Sequence, residues 1–131
     1  MADSADELIA AAGGQGAGSL RTALANAMVG LKKQYYGRGP EAAKAYVEDD
    51  YIFVVLEGGL TRNEETLLAD GKPEIVRRYR LEFQETVAPS ATGAVEQITG
   101  RKVVGYHSQI TFDPVRAFEI FVLEPQVSSN P

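Results

Sequence analysis

The 131-residue chain carries 13 Lys and Arg against 18 Asp and Glu, a net charge of −5, with 44% hydrophobic and 24% charged residues. That balance fits one globular domain and excludes a disordered chain or a coiled-coil rod. It also argues against nucleic acid as a partner. With no Cys and one His, His107, disulfide, thiolate and iron–sulfur chemistry and a multi-histidine metal site are excluded, and neither cofactor nor metal is expected.

Residues 1–18 are rich in Gly and Ala, which bury little area, and predict a flexible arm dispensable for folding. Gly13-Gly14-Gln15-Gly16-Ala17-Gly18 loosely resembles a dinucleotide loop but follows no strand. The acidic start, Asp3, Asp6 and Glu7, lacks a basic leader region, and no apolar run approaches membrane length. A cytoplasmic chain without direct membrane insertion is expected.

Ser19 as N-cap and an apolar stripe of Leu20, Ala23, Leu24, Ala27, Met28, Leu31 and Tyr35 predict a helix over 20–36. Gly37 stops it and Pro40 prevents its resumption. Residues 43–47 and 51–57 flank Glu48-Asp49-Asp50 and read as a hairpin, although 42–47 also has helical propensity. The run Tyr51 to Leu56 is apolar at both parities, as in a strand covered on both sides. Thr61 and Glu64 form a capping box for a short helix to about Ala69. Pro73 opens the next helix, with Ile75, Val76, Tyr79, Phe83 and Val87 as its stripe. Pro89 ends or kinks that helix, and Ser90 caps a further stretch closed by Gly100. In the last third, Val104, Tyr106, Ser108, Ile110 and Phe112 share one strand face. After Asp113-Pro114 the chain returns as a strand over 117–124. Helix, hairpin, two to three helices and hairpin give an α+β fold with an antiparallel four-stranded sheet.

Three segments, Tyr35-Tyr36-Gly37-Arg38-Gly39-Pro40, Leu56-Glu57-Gly58-Gly59-Leu60-Thr61-Arg62-Asn63-Glu64 and Arg77 to Phe83, resemble the MpsC-type family. The resemblance runs from about Ser19 to Glu124 and places one such domain at 19–125, with a frayed tail at 126–131. It implies a small soluble bacterial protein linked to cation or bicarbonate handling, with a membrane transport system as partner. It supplies no catalytic residues.

Candidate binding residues are basic. Gly37-Arg38-Gly39-Pro40 reads first as a helix stop, and second as a loop presenting the Arg38 fork to a carboxylate or phosphate. Arg77 and Arg80 share one side of a helix, Arg78 points about 100° away, and Arg62 and Lys72 lie nearby. This cluster reads as a solvated face laced with ion pairs to Glu74 and Glu82, or as an anion or acidic-partner site. Glu48-Asp49-Asp50 lacks the spacing of a calcium loop. Glu64 and Glu65 diverge on their helix, and His107 and Ser108 face opposite sides of a strand, so no catalytic pair or triad is visible. The sequence therefore points to a non-enzymatic interaction or regulatory module, with an anion-binding domain as the alternative. The surplus apolar strand faces predict a homodimer.

Overall fold

The computed structural model describes residues 17–126. The predicted arm and tail lie outside those residues, save for Ala17, Gly18 and Gln126. The elements are α1 (Ala17–Tyr36), β1 (Ala42–Glu48), β2 (Tyr51–Glu57), α2 (Arg62–Ala69), α3 (Pro73–Thr99), β3 (Val103–Thr111) and β4 (Arg116–Leu123). The strands form one antiparallel sheet in the order β1-β2-β4-β3, giving the expected α+β architecture. Residues 42–47 are strand: pairing with β2 sets Ala45 opposite Val54 and turns Ala43, Ala45 and Val47 inward. Sheet context thus overrides the helical propensity of alanine. The turn is Asp49-Asp50, with Asp49 at φ 53°, a conformation Asp tolerates.

The core lies between the helices and one sheet face. Ile52, Val54 and Leu56 of β2 and Ala117, Phe121 and Leu123 of β4 meet Ala23, Leu24 and Met28 of α1 and Ala91, Val95 and Ile98 of α3. Phe121 is fully buried and stacks on Tyr106 at 4.8 Å. Truncating such a ring to Ala costs about 3–5 kcal/mol. A smaller cluster of Leu60, Val76 and Ile110 seats α2 and the start of α3.

Three expectations are corrected. Helix α1 begins at Ala17, not at a Ser19 cap; Ser19 lies inside its first turn, and the Thr22 hydroxyl donates to the Gly18 carbonyl at 3.0 Å. An apolar stripe does not specify how far polar turns extend before it. Helix α3 runs unbroken through Pro89. Interior proline costs about 3 kcal/mol. Here Pro89 and Glu85, whose carbonyl loses its donor, are both exposed. Beyond it Ala91, Val95 and Ile98 are buried, and Ser90 is hydrogen-bonded to the Tyr35 hydroxyl at 3.0 Å. The third correction is a register shift between Val103 and Gly105 that makes Val104 the extra residue of a bulge. Val103 packs on the core and Val104 is exposed, reversing the predicted parity there, while Tyr106, Ser108 and Ile110 keep it.

All three helices cover the same face. On the other face, register sets Tyr46–Phe53–Ile120–His107 and Lys44–Val55–Phe118–Gln109 as neighbouring rows across the sheet. Tyr46, Tyr51 and Phe53 are 45%, 48% and 40% exposed.

Candidate functional site

Alternation along β4 turns Ala117, Glu119, Phe121 and Leu123 to the core, so one carboxylate enters an apolar layer. Glu119 is 1% exposed. Ser108, directly opposite on β3, donates to it at 2.9 Å, and Tyr106, two residues earlier on the same face, at 2.5 Å. The Lys32 ammonium descends from α1 to 3.0 Å. A buried carboxylate requires such partners. Burial, and then the Glu119 charge, push the Tyr106 hydroxyl pKa up.

A second buried carboxylate lies nearby. The capping box turns Glu64 inward, where Thr61 donates its backbone N–H at 2.9 Å. Arg80 meets Glu64 as a two-pronged fork, 2.6 Å for each bond. Burial raises the Glu64 pKa, but the Arg80 hydrogen bonds, the Thr61 amide and the Arg80 charge outweigh it, and the net shift is downward. Tyr36 joins the two pairs. The Arg80 guanidinium lies 3.9 Å from its ring centre and the Lys32 ammonium 5.3 Å. Burial pushes the Tyr36 hydroxyl up to about 12, opposed by Arg80 and reinforced by Glu119 and Glu64.

A cavity of about 380 Å³ opens over this cluster, lined by Lys32, Tyr36, Glu74, Arg77, Arg78, Arg80, Leu81, Ser108, Gln109, Ile110 and Ala117. Arg77 and Arg80 thus lie together, and Arg78, which helical geometry aims elsewhere, joins them. Arg77 pairs with Glu74 and stacks over Phe112 at 5.0 Å. Arg38 lines a different concavity with Glu41, Glu57, Glu65 and Arg116. It donates to the Leu60 carbonyl at 3.0 Å and lies 3.6 Å from Glu65. Arg62 opens α2 on the exposed surface and lines neither cavity. Asp50 is held by Arg101 at 2.5 Å. Among the described residues no group of three or more His, Cys, Asp or Glu is placed to hold a metal ion.

The three segments that carry the family resemblance converge here. Arg80 from the third binds Glu64 of the second and stacks on Tyr36 of the first. Gly59, at φ 89°, lies so close to Pro40 that a Cβ would stand 3.0 Å from its Cα, so any side chain at this crossing would be both crowded and strained. A family model described as "Na+-translocating membrane potential-generating system (MpsC)" matches residues 17–125. The chain belongs to the MpsC family. No curated protein and no solved structure matches it. In this MpsC chain the described residues contain no helix long and apolar enough to cross a membrane.

Sequence reasoning singled out Arg77 and Arg80 but not Lys32, Tyr36 or Glu119. The signal for Glu119 was present: it shares parity with Phe121 and Leu123, and an acid at a core position needs buried partners. Both carboxylates are engaged by cations and hydroxyls: the Lys32–Glu119 pair ties α1 to β4, and the Arg80–Glu64 pair ties α3 to α2.

Proposed function

We propose that this MpsC-family chain is a non-enzymatic interaction module that pairs with a second copy through its outer sheet face. In this reading it serves on the cytoplasmic side as an accessory of a membrane cation or bicarbonate transport system. The observation that carries the pairing is the bare sheet face. Seven apolar side chains lie on it, Tyr51, Phe53, Val55, Phe118, Ile120 and Val122 on the central strands β2 and β4 and Tyr46 beside them on β1, while Lys44, Glu48, Glu57 and Arg116 lie toward the margins. An apolar, aromatic-rich centre inside a polar rim is the anatomy of a protein interface.

Size supports the same reading. Four strands at about 4.8 Å spacing and seven residues at about 3.3 Å rise give a face of roughly 450 Å². Two such faces remove about 900 Å² or more once projecting side chains are counted, close to the lower bound of a specific interface. A weak, reversible dimer follows. The transport role rests on the family description alone. A partner would supply the membrane-spanning segments.

Sedimentation velocity from micromolar to several hundred micromolar protein tests the pairing. The expected result is a concentration-dependent shift toward twice the 14.1 kDa chain mass. A single 14.1 kDa species throughout would reject it.

A further inference from the structure

The cavity above the Tyr36 cluster combines features that sheet pairing does not use. Four cations line it, Lys32, Arg77, Arg78 and Arg80. Three carboxylates answer three of them: Glu119 for Lys32, Glu74 for Arg77 and Glu64 for Arg80. The Arg78 side chain has no ion-pair or hydrogen-bond partner among the described residues, so the wall keeps one positive charge in excess. Ser108 and Gln109 add polar groups on the β3 side, and Leu81, Ile110 and Ala117 supply apolar wall. A volume of about 380 Å³ lies within the range of small-molecule sites.

From this we infer that the cavity is a binding site for a small organic oxyanion, a carboxylate or phosphate on a compact apolar body, with Arg78 as its charge-reading residue. The anionic group is received by Arg78, whose guanidinium fork matches its two oxygens. The apolar body lies against Leu81 and Ile110. Pre-formed partners hold the other cations: Arg77 is committed to Glu74, Arg80 to Glu64 and Lys32 to Glu119, so all three set the local potential without moving. Arg38, in its separate concavity, takes no part.

Amide NMR of the full chain, titrated with phenyl phosphate, benzoate and neutral benzyl alcohol, tests this. The two anions are expected to give saturable shifts at Arg78, Leu81, Ser108 and Gln109, and the alcohol none. A stronger response to phosphate or to carboxylate supports the site and names its oxyanion. Arg78→Gln is expected to weaken binding about tenfold or more, as losing a charged hydrogen bond does. Its melting temperature should stay unchanged, because Arg78 is exposed. Arg38→Ala is expected to leave binding intact. The site is overturned if neither anion gives saturable shifts at these residues, if the alcohol binds equally, or if Arg78→Gln binds as well as the parent. These readouts are the same for monomer and dimer, so they stand apart from the sheet-face pairing.

Discussion

Lys32 reaches from the last turns of α1 to within 3.0 Å of Glu119 on β4, and the carboxylate it meets is 1% exposed. One ion pair thus ties the first helix to the last strand across the core. Removing the ammonium leaves a buried charge with only hydroxyl donors. Lys32→Met is expected to cost about 3–5 kcal/mol. Adding Glu119→Leu should cost less than the sum of the single changes, because the orphaned charge disappears with it. Urea unfolding of the double-mutant cycle measures this, and additive losses would show that the pair is not coupled.

Glu64 gives the fold an acid limit. Its folded pKa is lowered from an ordinary value of 4.5, the downward effects of Arg80 and Thr61 outweighing burial. The stability it contributes is therefore complete above about pH 4.5 and lost as pH falls through the lower folded value. Thermal unfolding at pH 3 to 6 should show this acid loss in the parent and a flatter profile in Glu64→Gln. An unchanged profile would assign the acid limit to other carboxylates.

Tyrosine sets the opposite limit. Tyr36 is pushed from 10.0 up to about 12 by burial, and Tyr106 is raised as well. Folded chains hold these protons where unfolded chains release them, so stability is complete below pH 10 and falls as pH rises toward 12. Phenolate absorbance should show late-titrating steps for Tyr36 and Tyr106, and Tyr36→Phe should remove one of them. A profile without a late step, or one that Tyr36→Phe leaves unchanged, would contradict the burial of this cluster.

Arg38 is a modest contributor to stability. Its side chain is 47% exposed, 3.6 Å from an equally open Glu65, with one hydrogen bond to the Leu60 carbonyl. Arg38→Ala is expected to cost about 1 kcal/mol or less by chemical denaturation. A loss near that of Lys32→Met would make it a structural anchor.

Much of the fold was legible because local signals agreed with tertiary packing. The Gly37 stop, the Thr61–Glu64 capping box, Pro73 at the helix start and Gly100 at its end all stand as read. Features decided by distant contacts were not legible. Pro89 reads locally as a break or a kink, yet the helix does not end there, and Ala91, Val95 and Ile98 beyond it pack into the core. Residues 42–47 read as helix or strand until pairing with β2 decides. At the site, Arg77 and Arg80 stand out as a cluster within one helix. Lys32 and Glu119 are 87 positions apart by their residue numbers, and no local pattern pairs them.

The two-sided apolarity of Tyr51 to Leu56 is explained on one side by the helices; the other side is the face through which two copies are proposed to pair. Isotope-filtered NMR on a mixture of labelled and unlabelled chains tests this pairing most directly. Contacts are expected between the rings of Tyr46 and Phe53 in one copy and the methyl groups of Val55, Ile120 and Val122 in the other, abolished by Phe53→Glu with the fold intact. Contacts confined to the exposed helix residues Ile75, Tyr79 and Leu81, or none at concentrations where the chain self-associates, would contradict it.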